Sequence, residues 1–376
     1  MWKKIVVYAL VITLALSLFA GCSSSNEGPS VTVENPEFYQ KFINDNISIN
    51  VYNWGEYIPD GEDDSIDLNE EFTKLTGIEV NYSTYATNEE LYAKLKAGAA
   101  NYDIIIPSDY MISRMIEEDM LEKVNFDNVP NYKNIMEKFK KSEYDPTSEY
   151  SVPYTWGTVG IIYDKTSVDI SEDQIDWNVL WDEKYKDKIL MFDNPRDAFA
   201  ISEIMLGYSL NTENEEELKK AAEKLKEQKP FVQAYVMDEI FDKMSAGEAL
   251  FAPYYAGDAV TLMSEYDHLG FVVPKSGTNL FADALCIPKN AAQKEAAELY
   301  INFMCEPQVA AAVAEYIGYS TPNSEALALL PDEVKNNPIS YPADDFLNAN
   351  TEMFRNLTPA ANKLMQDLWT DIKSEN

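Results

Sequence analysis

Two short runs of this chain bring aromatic rings together with hydrogen-bond acceptors where a strand should end. Trp54-Gly55-Glu56-Tyr57 closes the stretch 47–54, and Ser108-Asp109-Tyr110 follows Asp103-Ile104-Ile105-Ile106-Pro107. In open α/β sheets, ligands sit beyond the carboxyl ends of strands, so this placement makes both runs candidates for a binding site. Other chemistry is limited by what the chain lacks. It has one histidine, His268, so a metal site built on two or three histidines is impossible. Any histidine-based triad would need that same residue, which is expected in an exposed loop. The three cysteines, Cys22, Cys286 and Cys305, form no Cys-x-x-Cys pair, and no Gly-x-Ser-x-Gly nucleophile motif is present. The acidic stretch 60–67 lacks the ligand spacing of an EF-hand and is expected to be a solvated loop. Nothing calls for a metal or a cofactor.

The elements that must position these runs are those of a two-domain α/β protein. At 376 residues the chain is too long for one ordinary core. Its 46% hydrophobic and 25% charged residues describe a globular chain. Sixty-four Asp and Glu against 30 Lys and Arg give a formal charge of -34, which excludes a nucleic-acid partner and is compatible with a cationic one. Residues 47–54 read as a first strand and 67–75 as a helix stopped at Gly77. Residues 79–82 read as a second strand, followed by a helix capped by Asn88 and ended at Gly98. Residues 103–106 form a buried strand. This alternation predicts a parallel sheet with helices on both faces. Residues 150–164 look like a crossing region between two such units. Beyond it, Thr212 and Glu215 suggest a capping box for a solvent-facing helix running to Lys229, with Glu215/Lys219 and Glu216/Lys220 at i,i+4 spacing. Strands are expected at 271–274 and 281–287, and a helix at 291–304.

The first residues point outside the cytoplasm. Lys3 and Lys4 precede an almost continuous apolar run over 5–20, short for a membrane span and suited to a secretory signal. Phe19-Ala20-Gly21-Cys22 then resembles a bacterial lipobox, with Phe19 in place of the usual leucine. The resemblance implies a signal peptide over 1–21 and a lipidated Cys22 that opens a flexible tether over 22–46. The protein would then be extracytoplasmic and lipid-anchored to the outer face of the cell membrane. Cys286 and Cys305 are expected to be buried free thiols.

Five runs carry a further resemblance. They are Tyr52-Asn53-Trp54-Gly55-Glu56-Tyr57, the stretch 72–80, Pro107-Ser108-Asp109-Tyr110, Ser151-Val152-Pro153-Tyr154-Thr155-Trp156-Gly157 and Ile317-Gly318-Tyr319-Ser320-Thr321-Pro322-Asn323. In this order and spacing they resemble the spermidine/putrescine-binding proteins of bacterial ABC importers, the PotD/PotF family, from residue 47 to 372. The resemblance implies a type II periplasmic-binding-protein fold: two α/β lobes, a hinge and an interlobe ligand cleft. One lobe would comprise 47–154 with 282–329, and the other 155–281 with 330–376. It also implies a ligand set of Trp54, Glu56, Tyr57, Ser108, Tyr110, Asp197, Tyr255, Asp258, Phe281, Asp283 and Tyr319, and no catalytic residue. The partners implied are a polyamine, the permease subunits and the cytoplasmic ATPase of an importer, with the chain itself a monomer. Tyr255 and Phe281 stand where the family often has tryptophan, and Asn194 where spermidine binders often carry an aspartate, so putrescine and spermidine both stay open.

Physical chemistry agrees with that implication. A polyamine needs aromatic walls for its methylenes, each cation–π contact being worth about 0.5–2 kcal/mol. It also needs carboxylates for its ammoniums, because a buried ammonium without partners costs several kcal/mol. A sugar, thiamine or ferric-complex receptor of the same fold, or a secreted glycosidase using two carboxylates, are the alternatives. A sugar site would want many Asn, Gln and Arg donors, whereas this inventory is rich in acceptors.

Overall fold

The computed structural model describes residues 30–98 and 101–374. The expected signal peptide, Cys22 and residues 22–29 of the expected tether lie outside the described residues. In chain order the strands are β1 (Ser48–Trp54), β2 (Glu79–Tyr85), β3 (Ile104–Ile105), β4 (Ser151–Asp164), β5 (Ile189–Phe192), β6 (Val232–Val236), β7 (Phe251–Tyr255), β8 (Leu269–Val272), β9 (Thr278–Cys286) and β10 (Thr351–Glu352). The helices that matter here are α1 (Leu68–Thr76), α2 (Asn88–Lys96), α3 (Asp109–Glu117), α4 (Pro195–Leu206), α5 (Glu215–Gln228), α6 (Ile240–Ser245), α7 (Ala256–Glu265), α8 (Lys294–Met304) and α9 (Pro307–Ile317).

Two parallel sets of strands lie at either end of one curled sheet, in the order β2-β1-β3-β9-β4-β7-β5-β6. β2, β1 and β3 are parallel, as are β6, β5 and β7. Between them β4 and β9 run antiparallel, so the sheet is mixed where a purely parallel one was expected. The reason lies in β4. Its first half pairs with β9 through Thr158, and from Val159 onward it pairs with β7. All fourteen of its residues are buried, so it shows no in–out alternation. Pro153, which has no N–H to donate, sits at a register shift. Gly157 leaves room for Phe281, whose Cζ would lie 2.8 Å from a Cβ at that position.

Local signals explain most helix ends. The Asp67 side chain caps α1 by accepting from Glu70 N at 2.8 Å, and Gly77 closes it in the left-handed region. α5 carries the expected Glu215–Lys219 ion pair. Two caps fall elsewhere than expected. α2 is capped by Thr87, whose Oγ1 accepts from Glu90 N at 3.1 Å, which frees Asn88 for the site. α5 is capped by Asn214 rather than by Thr212. In both, a neighbouring residue holds the extended backbone that a cap requires. Cys286 and Cys305 are free and buried. His268 is half-buried, its Nε2 lying 3.3 Å from the Met244 carbonyl.

The segment 30–46, assigned to the tether from sequence, is packed structure. Residues 36–42 form a 3-10 helix, and Tyr39 within it is fully buried. Its hydroxyl donates to Glu306 Oε1 at 2.7 Å and accepts from Asn302 Nδ2 at 2.7 Å. Glu34 N and Thr32 N add bonds to Glu306 and Gln308, at the start of α9. Burial of a ring together with its hydroxyl partners outweighs the polar composition of the stretch. Tyr39→Phe leaves the buried Glu306 carboxylate short of a donor. It is expected to lower stability by about 1–3 kcal/mol in denaturant melts without changing ligand affinity.

Candidate functional site

Two buried carboxylates, Asp197 and Asp283, a half-buried one, Asp258, and a row of rings meet where strands hand over to helices. β7 passes directly into α7, placing Tyr255 at the strand end and Asp258 in the first turn of the helix. β5 leads through Asp193 and Asn194 into α4, whose first turn carries Asp197. β9 brings Phe281 and Asp283 alongside β4. The chain after α9 turns at Gly318 and delivers Tyr319. That ring lies flat on Gly257, where a Cβ would come within 2.1 Å of it.

Each carboxylate is met by one tyrosine hydroxyl. Tyr255 donates to Asp197 Oδ2 at 2.8 Å, Tyr319 to Asp258 Oδ2 at 2.7 Å, and Tyr57 to Asp283 Oδ2 at 2.6 Å. The rings run on from one another. Phe281 lies 5.4 Å from Tyr255 and 6.0 Å from Tyr319, and Tyr57 lies 5.2 Å from Tyr319. An aromatic wall therefore links Asp197 at one end to Asp258 at the other, with Asp283 beside Tyr57.

Burial governs the acid–base state. It pushes Asp197 and Asp258 up to about 7 and Asp283 up to about 6, while the tyrosine hydroxyl on each pulls part of the way back. Asp283 Oδ1 is buried and has no protein partner. The same holds for Oδ2 of Asp109 at the start of α3, whose carboxyl burial pushes well above the usual range.

Other expected residues divide. Ser108 pairs with Asp283 across an isolated bridge, and Tyr110 is buried, its hydroxyl donating to Glu89 at 3.0 Å and accepting from Asn88 Nδ2 at 3.2 Å. Trp54 is half-buried at the strand end; its Nε1 donates to the Ile106 carbonyl at 2.9 Å and its ring packs on Tyr85. Glu56 is exposed on the following turn at φ 50° and is not brought to the carboxylate cluster. Glu352 braces a turn, accepting from Ser209 Oγ, Leu210 N and Asn211 Nδ2. Sequence reasoning passed over Asn88, Glu89, Asp109, Thr155, Arg196 and Phe354. Asp109 sits inside a run already singled out and Arg196 lies between the expected residues Asn194 and Asp197, but their burial was the missing information. Phe354 lies outside regular structure and gave no signal. Asn194 spends its amide locally, Oδ1 capping Arg196 N at 3.0 Å and Nδ2 donating to Asp197 at 2.8 Å.

This fold is that of a solute-binding protein of the periplasmic-binding type. Residues 67–343 match the family model of the bacterial extracellular solute-binding proteins. The spermidine/putrescine-binding periplasmic protein of Salmonella typhimurium is 39% identical over 307 residues, covering 79% of this chain and 84% of that protein. Its Escherichia coli K12 counterpart is 37% identical over 333 residues, covering 88% and 92%. The solved PotD substrate-binding protein of a Streptococcus pneumoniae spermidine/putrescine ABC transporter superposes with a TM-score of 0.74 at 35% identity, covering 87% of this chain and 98% of that one. The chain belongs to the bacterial extracellular solute-binding protein family, whose members act outside the cytoplasm and are not enzymes.

The pH dependence has a definite sign. The three carboxylates have folded-state values of about 7, 7 and 6, above the usual aspartate value of about 3.9. The folded ligand-free protein therefore holds more protons than the unfolded chain between those limits, and its stability falls as pH rises through them. Asp258→Asn removes one such group. In thermal melts this variant should lie above the wild type at pH 8, with the gap shrinking as pH falls and closing only at about pH 4 or below.

Proposed function

We propose that this protein captures a polyamine, putrescine and/or spermidine, outside the cell and delivers it to the permease of an ABC importer whose ATPase works in the cytoplasm. The observation that carries the reading is the aromatic wall with a carboxylate at each end. Asp258 lies beyond Tyr319, Phe281 spans the middle, and Asp197 lies beyond Tyr255. Methylenes lie on ring faces and ammoniums meet carboxylates, through charge-assisted bonds about twice as strong as neutral ones. Binding at micromolar affinity needs about -8 kcal/mol, within reach of such contacts after ordering costs. The names of the relatives at 37–39% identity point the same way.

The working ligand set is Trp54, Tyr57, Ser108, Tyr110, Asp197, Tyr255, Asp258, Phe281, Asp283 and Tyr319, with Glu56 closing onto the ligand from its exposed turn. We place the lobes at 47–154 with 282–329 and at 155–281 with 330–376. Support comes from β4, which exchanges β9 for β7 between Thr158 and Val159, close to that boundary. Hinge bending there brings the two parts of the ligand set together. The protein works as a monomer. It is held to the membrane by lipid on Cys22, with Phe19-Ala20-Gly21-Cys22 as the supporting signal.

Titration calorimetry of the domain from Ser23 onward tests the reading. Putrescine or spermidine should bind at micromolar affinity or tighter and a neutral sugar not at all; no amine binding by a folded, ligand-free sample refutes it. Asp283→Asn should weaken amine binding by about tenfold or more, since one buried charged partner is lost. Cys22→Ser should move the protein from the membrane fraction to the soluble fraction of the producing cell.

A further inference from the structure

The segment 353–358 has no regular structure, yet it meets one face of α3 at two points. Phe354 packs its buried ring edge to face on Tyr110, with ring centres 6.1 Å apart. Two residues further on, Asn356 Nδ2 donates to Glu117 Oε2 at 2.7 Å. Tyr110 and Glu117 lie two turns of α3 apart, so they share a face, with about 10.5 Å between them along the axis.

The two sides of this contact are fixed to different halves of the molecule. α3 is held to α2: the Tyr110 hydroxyl meets Glu89 and Asn88, and the Arg114 guanidinium carbon lies 3.8 Å from the centre of the Tyr92 ring. The opposite segment is held to α4 and α5. Arg355 N and Arg196 Nη2 both donate to Asn211 Oδ1, at 2.8 and 3.1 Å, and Nη2 also reaches the Arg355 carbonyl at 3.4 Å. Thr358 N donates to Glu213 Oε1 at 2.9 Å, just ahead of α5. The Arg196 guanidinium carbon lies 4.3 Å from the centre of the Phe354 ring. Residues 354–356 are thus an arm braced on one half and resting on a helix of the other.

Resting on the two-lobe amine-receptor reading, we propose that this arm is a latch. The Asn356–Glu117 hydrogen bond and the Phe354–Tyr110 contact form when the lobes close, and they hold the lobes together. Asn356 and Glu117 are positioning residues, which stabilise the closed form without touching the amine. A receptor that is open without ligand and closed with it gains affinity by whatever its closed form gains. Because the latch is unmade in the open form, it slows release and leaves capture as it is.

Kinetics separate a latch from a structural brace. Putrescine and spermidine binding is measured by calorimetry and stopped-flow fluorescence, and every amine that the wild type binds is read. Asn356→Ala should raise Kd by about fivefold through a faster koff, with kon unchanged. Glu117→Ala should do the same, and the double variant should bind no more weakly than either single one, because both remove one shared bond. Glu117→Gln keeps an accepting oxygen and should recover most of the loss. Asn362→Ala removes the bond from Asn362 Nδ2 to Asn356 Oδ1 within the same half and should leave affinity unchanged. Denaturant melts of the ligand-free alanine variants should match the wild type, since the latch is open there. Unchanged affinity in both single variants, losses that add in the double variant, or a loss carried by kon together with an earlier melt overturns the inference. A folded wild-type protein that binds neither amine refutes the receptor reading instead, so the two failures are distinguishable.

Discussion

Everything in the cleft follows from the cost of burying carboxylates. Asp197 and Asp283 are buried and Asp258 is half-buried, and an isolated buried carboxylate gives up its charge rather than pay the full desolvation cost. Each is met by one tyrosine hydroxyl, enough to satisfy an oxygen and too little to make the charge comfortable. The result is a set of acceptors poised near neutrality. On the proposed reading, a ligand that brings positive charge relieves a cost the fold has already accepted. The same reasoning explains the tyrosines. A phenol combines a ring with a hydroxyl, and here the hydroxyls of Tyr57, Tyr255 and Tyr319 are spent on the carboxylates while their rings pack in a row.

The fold supplies the precision this needs. Asp109, Asp197 and Asp258 all fall in the first turn of a helix that follows a strand at a short interval, α3 after β3, α4 after β5 and α7 after β7. Helix N-termini favour negative charge, which offsets a little of the burial cost. β4 and β9 carry the rest, running side by side through the middle of the sheet with Phe281 packed onto Gly157. Residues far apart in sequence, such as Tyr57 and Asp283, thus meet at hydrogen-bonding distance.

Arg196 and the N-terminal segment show a second use of burial. Arg196 is held by Phe354, Tyr110 and Asn211, none of them near it in a helical pattern. Tyr39 is held by Glu306 and Asn302. In both, a polar group becomes an internal fixture because partners from distant parts of the chain converge on it.

The amino-acid sequence by itself determined the class of fold and the strand-end position of the first two runs, and through resemblance it named an expected ligand set, of which Tyr57, Asp197, Tyr255, Asp258, Phe281, Asp283 and Tyr319 come together in the structure. It did so because strands and helices announce themselves by local periodicity, and motifs by order and spacing. Helix caps were misplaced by one or two residues at α2 and α5, since several adjacent polar residues can serve and only the backbone angles select one. Only the tertiary structure decided which acids are buried, that Glu56 is exposed while Asp109 and Arg196 are buried, that 30–46 is packed rather than loose, and that the sheet is mixed. Burial and charge coupling are sums over neighbours from many segments. No single stretch of sequence contains them.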